Sequence, residues 1–123
     1  MCSLQRLLFR LARSSSLSSF LRWTIAHMSF ALPVKKLRET GTLIAFPHPQ
    51  PAYRVHILLL PKRGLSGLEQ LSPEDSDFLI DLFATVQSLV TEFDLDQTGY
   101  RLIANGGRYQ DFPHLHFHLV SEG

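Results

Sequence analysis

The chain has 123 residues, 45% of them hydrophobic and 19% charged, with a formal net charge of +1; this is room for one domain with one core, and too little for two. Its single cysteine, Cys2, excludes an intrachain disulfide and any cysteine-rich zinc module. No run of about twenty apolar residues occurs, which argues against a standard membrane-spanning helix.

The small net charge hides a split along the chain. Arg6, Arg10, Arg13, Arg22, Lys35, Lys36 and Arg38 precede every acidic residue, and all Asp and Glu lie from Glu39 onward. Residues 1–38 therefore read as a basic N-terminal segment and linker, and residues 39–123 as an acidic folded domain. Within residues 4–28, Leu4, Leu7, Leu8 and Leu11 keep helical spacing, and Phe20, Leu21, Trp23 and Ile25 form a second apolar group. Such a basic amphipathic segment suits peripheral contact with an anionic membrane or a partner. An arginine- and serine-rich, acid-free leader is also what organelle targeting uses, and a helix packed on its own domain is the third reading. The expected location is the cytoplasm, with membrane association or organelle targeting through the leader as the alternatives. Nucleic acid is not an expected partner, because the basic charge lacks aromatic interleaving on a folded platform.

Residues 31–40 read as a connector, with Pro33 opposing a helix and Gly41 marking a turn. Thr42–Phe46 is a short apolar strand, and the three prolines within residues 47–52 impose a rigid loop. The next strand, Arg54–Leu60, puts His56 on the same face as Leu58 and Leu60. Ser72-Pro73-Glu74-Asp75 starts a helix, with a capping serine, proline in the first turn and acids at the positive end of the macrodipole. Phe78, Leu79, Leu82, Phe83, Val86, Leu89, Val90 and Phe93 then recur at three- and four-residue steps. They predict one long amphipathic helix over about 73–93, packed on a sheet with its aromatics in the core. After a polar break at residues 94–98, Gly99–Ala104 is another strand, and Asn105-Gly106-Gly107 permits a tight turn and close approach of a ligand to backbone amides.

The chain's chemistry is concentrated near its carboxyl end, in His114-Leu115-His116-Phe117-His118-Leu119-Val120. In an extended strand the three histidines line one face, leaving Leu115, Phe117 and Leu119 to anchor on a core. Two functions fit that array: a metal site, since His-x-His on a strand offers two imidazoles to one zinc ion, or catalysis by one imidazole as nucleophile or base.

The order of features resembles the histidine triad (HIT) family of nucleotide hydrolases and transferases over residues 41–120. Residues 114–120 fit every position of its His-φ-His-φ-His-φ-φ signature, where φ is apolar. Ala45-Phe46 ends an early strand, His56 follows Phe46 by ten residues in a strand running to Pro61-Lys62, and Asn105 and Gly107 precede the triad. The resemblance implies an α+β fold, with an antiparallel sheet of about five strands, one long helix and commonly a homodimer. It implies hydrolysis or nucleotidyl transfer at the α-phosphorus of a nucleotide ester, anhydride or phosphoramidate. His116 would be the nucleophile, forming a covalent nucleotidyl-histidine, with His114, His118 and His56 completing the catalytic group. Phe46, His48, Asn105, Gly107, Gln110 and Asp111 fall where substrate contacts are implied, and neither a cofactor nor a metal is. Two positions depart from the family's pattern: His48 stands where an acidic residue usually grips the ribose hydroxyls, and Asp111 where a hydroxyl residue follows the glutamine. These departures sustain a second reading, a non-catalytic nucleotide- or metal-binding module tethered to a membrane surface or partner by its basic leader.

Overall fold

A computed structural model describes residues 35–123; the helical and membrane-surface readings of residues 4–28 lie outside the described residues. The apolar runs of the sequence become one five-stranded sheet in which every neighbouring pair is antiparallel. Its strands are β1 (Arg38–Glu39), β2 (Leu43–Pro47), β3 (Val55–Pro61), β4 (Arg101–Ala104) and β5 (Phe117–Ser121), ordered β1-β2-β3-β5-β4. Between β3 and β4 lie the long helix α1 (Ser76–Glu92) and a helical turn, α2 (Leu95–Thr98). This is the α+β architecture expected from the sequence.

Register decides which face does what. Leu43 and Ala45 of β2, Ile57 and Leu59 of β3, and Phe117 and Leu119 of β5 point to one side, where Phe78, Leu82, Val86 and Leu89 of α1 meet them. The opposite face carries Phe46, His56, Leu58, His118 and Val120, because His56 pairs with Val120 and Leu58 with His118. One side of the sheet is thus given to the core and the other to the histidines. Among the described residues, no helix is long and apolar enough to cross a membrane.

The helix starts as its sequence prescribes. Ser72 N–H donates to Asp75 Oδ2 (3.1 Å), and Arg63 Nη1 donates to both oxygens of that carboxylate (3.1 and 3.0 Å), so a buried acid is fully satisfied. Pro73–Asp75 form a single 3-10 turn and regular α-helix follows. Asp94, in the left-handed region at φ 54°, ends it, and the stretch expected to be only a polar break resumes as α2.

Three further expectations need correction. Arg38–Glu39, read as connector, is a strand, held to β2 at Ala45 and Ile44 and to the helix by Arg38 bonding Ser88 and Glu92. Phe83 and Phe93 are not core: Phe83 is 58% exposed and Phe93 also reaches solvent, as does Ile80 at 67%. The apolar stripe on α1 is wider than the sheet it covers, so its flank is left over. Third, β5 begins only at Phe117, because His114 N–H turns back to Phe112 O (2.9 Å) and Leu115 N–H is taken by Leu65 O (2.8 Å) instead of the β3 ladder.

Candidate active site

The histidines come from four places. His56 lies within β3, His118 within β5, and His114 and His116 in the bent segment leading into β5. His48 follows β2, its backbone N–H bonded to His56 O (2.8 Å), which lays its ring on that of His56 at a centroid distance of 4.3 Å. The His56 and His118 rings are 5.1 Å apart, and those of His116 and His118 4.9 Å.

The neighbours of each ring fix where its proton sits. A backbone amide can only donate, and Ala52 N–H points at His56 Nδ1 (3.1 Å). Neutral His56 therefore carries its proton on Nε2 and donates it to His118 Nδ1 (2.9 Å). The proton of His118 is thereby placed on Nε2, a buried atom with no hydrogen-bond partner among the described residues. The chain of bonds has one polarity, anchored on a main-chain amide and ending in an N–H donor. His116 is set the opposite way. A carbonyl can only accept, so Nδ1–H of His116 donates to His114 O (2.7 Å) and Nε2 keeps its lone pair. His114 itself is fully buried, its Nε2 donating to Pro61 O (3.1 Å).

The ring of His116 is only 4% exposed. It does not enter the core, which takes its neighbours Leu115 and Phe117. It is closed in on the histidine side, with Phe112 edge-on at 5.7 Å and His118 at 4.9 Å. Burial is also what dominates its electrostatics, pushing the His116 pKa down against the opposing effects of the His114 carbonyl and the Asp111 carboxylate. Burial, followed by His116, lowers His56. Burial and the neighbouring imidazoles take His48 and His118 down to about 4. The cluster is therefore neutral at pH 7.

These depressed values link stability to pH. An unfolded histidine titrates near 6.5, so between about 6.5 and 4 the unfolded chain binds more protons than the folded one, and stability falls as pH falls through that window. The urea midpoint is expected to drop between pH 7 and pH 4.5, and to drop less in His48→Asn. An equal drop in both proteins would remove His48 from this account.

His48, His56 and His118 place one nitrogen each within 4.8 Å of one another, a spacing open to a metal ion. The surrounding bonds run the wrong way. A metal-bound histidine donates its second N–H to an acceptor, whereas the second nitrogens of His48 and His56 receive amide protons from Gln50 (2.9 Å) and Ala52 (3.1 Å). An ion would have to break both bonds, so this is a donor array and a poor metal site.

The remaining candidates are spread around this centre. Phe46 is buried on the histidine face. Asn105 follows Ala104, the partner of Phe117, and so comes level with His116. Gly107 adopts φ +58°, where a side chain would be strained. Gln110 is a loop tie, donating to Ser66 O (2.7 Å) and Phe112 O (3.1 Å). Asp111 acts on His48, His116 and His118 through its charge. Sequence reasoning missed Ala52 N–H, Gln50 N–H, and the carbonyls of His114 and Pro61, which set the tautomers; backbone groups leave no mark on residue type. Phe112 had a signal, an apolar residue within a polar loop.

A model of the HIT domain matches residues 30–123. The chain belongs to the HIT family. An adenosine 5'-monophosphoramidase of Candida albicans is 32% identical over 97 residues, covering 72% of this chain and 62% of that protein. A HIT-like protein of Helicobacter pylori is 27% identical over 92 residues, covering 73% and 86%. Among solved structures, a HIT family hydrolase from Legionella pneumophila superposes with a TM-score of 0.74 at 26% identity, over 84% of this chain and 92% of that one. A histidine triad nucleotide-binding protein from Candida albicans gives 0.68 at 30% identity, over 80% and 71%. Hydrolases and nucleotide-binding proteins are thus what this HIT chain is similar to.

Proposed function

We propose that this HIT protein hydrolyses or transfers the nucleotidyl group of a nucleotide phosphoester or phosphoramidate, by attack of His116 Nε2 on the α-phosphorus. The observation that carries this reading is the 2.7 Å bond from His116 Nδ1–H to His114 O, which leaves an unprotonated lone pair on Nε2. As Nε2 forms its bond to phosphorus, the bond to the leaving group breaks, and that group departs with the electron pair and is protonated from water. The resulting imidazolium keeps Nδ1–H on the His114 carbonyl. His118 Nε2–H, oriented by His56, donates to a phosphoryl oxygen where negative charge develops. Water then attacks phosphorus, frees the nucleotide and restores His116. The phosphate's own charge favours protonation of the surrounding imidazoles once substrate is bound, and Asn105, level with His116, and the Gly107 backbone would receive it. The phosphoramidase name of the Candida relative supports the P–N bond as the first substrate to try.

Quenched-flow mixing with an adenosine 5'-phosphoramidate is the test. An acid-labile nucleotide on His116 within the first turnover is expected; tight nucleotide binding with no covalent species would give the non-catalytic module instead.

A homodimer through the β4 edge belongs to the same proposal. β4 ends the sheet, and beside it Phe83, Val86, Val90, Tyr100 and Leu102, with Gln87, Thr91 and Asp96 among them, line a largely apolar groove in which Phe83 stays exposed. A second copy adding its own β4 would satisfy the backbone edge and bury these side chains. Sedimentation is expected to show a dimer that Phe83→Lys dissociates; a monomer at high concentration would end the idea.

A further inference from the structure

A second recess lies on the histidine face, one step along the strands from the triad. Because β3, β5 and β4 are in register, His56, Val120 and Arg101 form one row across the sheet, next to the row that holds His118. A crevice of about 310 Å³ opens over this row, lined by Tyr53, Tyr100, Arg101, Val120 and Glu122 among others. Tyr53 is common to the crevice and the histidine cluster: its ring stands edge-on to His56 at 5.4 Å and 81°, and it also lines the crevice. The recess thus borders the histidine cluster at Tyr53.

Its charge is unusual for this face. Arg101 pairs with Val120 through the backbone, yet its guanidinium forms no ion pair or hydrogen bond with any described residue. Glu122 lines the same crevice and still does not reach it. Arg38 and Arg63, by contrast, are both engaged by carboxylates. Two strand spacings put the Arg101 backbone about 10 Å from that of His56, so its side chain extends within reach of a group leaving from beside His118. A planar guanidinium in a crevice that Tyr53 and Tyr100 also line suits a carboxylate or phosphoryl group, which it can hold with two parallel hydrogen bonds.

We propose that this crevice is the leaving-group subsite, and that Arg101 holds an anionic carboxylate or phosphoryl group carried by the leaving group. The assignment rests on the nucleotidyl-transfer reading above. It makes the preferred substrate a nucleotide whose α-phosphorus is joined to a second, acidic component, where the triad alone would accept any leaving group.

The test is a matched series of adenosine 5'-phosphoramidates whose amine bears, on one two-carbon chain, a carboxylate, a phosphonate or a neutral carboxamide, with the unsubstituted phosphoramidate as reference. The native protein is expected to favour an anionic member over the carboxamide by about tenfold in kcat/KM, since charge-assisted bonds to arginine are among the stronger ones. That ratio is expected to fall to near one in Arg101→Gln and to be partly kept in Arg101→Lys. Preference for only one of the two anions supports the subsite and identifies its ligand. Equal rates for all three in the native protein, or a preference that survives Arg101→Gln, overturns it. If the reference compound is not turned over at all, the nucleotidyl-transfer reading has failed and the subsite falls with it.

Discussion

Replacing His116 with alanine is expected to lower turnover of an adenosine phosphoramidate by on the order of 10⁴ or more, the scale seen when a nucleophile is removed from a concerted site. The reasoning starts from the lone pair. The bond to the His114 carbonyl leaves Nε2 of His116 unprotonated, whereas the unprotonated Nδ1 of His114 is buried and that of His118 is taken by His56 Nε2–H, so neither replaces it. The fold is expected to persist, because Leu115 and Phe117 anchor the segment independently of the ring between them. Circular dichroism would check the fold and steady-state assays the rate. Free imidazole, small enough for the space left, is expected to restore part of the activity. A folded His116→Ala protein with native rates would sink the mechanism.

The second large effect is expected at His118. Its Nε2–H is the donor left for a phosphoryl oxygen, and removal of a preorganised donor to developing charge costs about 10²–10³ in kcat. His56 acts through it, as a positioning residue. Without His56 Nε2–H, His118 Nδ1 loses the bond that keeps its proton on the substrate side, and the ring can adopt either tautomer. His56→Ala is therefore expected to be milder than His118→Ala, and the double variant no worse than His118→Ala alone, since the two act as a unit. Additive losses in a double-mutant cycle on kcat would show that His56 has an independent task and that the relay is not what matters.

How much of this was legible beforehand differs by element. The core face could be read from alternation, since Leu115, Phe117 and Leu119 pack where a strand pattern puts them, and the helix start could be read from Ser72-Pro73-Glu74-Asp75. Phe83 could not be placed correctly, because helical periodicity marks an apolar stripe without saying how much of it the sheet covers. The clustering of His56 with His118 followed from the motif and its spacing, whereas the direction of the bonds between them did not. That direction depends on Ala52 N–H and the His114 carbonyl, groups that every residue type possesses. The ring of His48 was expected near substrate, but its stacking on His56 comes from a main-chain bond across the turn. Arg101 looked like an ordinary strand residue until the register set it beside the histidines.

The short first strand has a bearing on assembly. β1 is only two residues long, and it is edged by charge: Lys36 and Lys62 clamp Glu39, whose carboxyl they hold down to about 2, and Arg38 reaches across to Glu92. Charged, abbreviated margins resist addition of further strands. With that rim blunted and the β4 rim open, the dimer proposed above would leave no open rim among the described residues, so growth would terminate at a pair where two open rims would permit an endless ribbon.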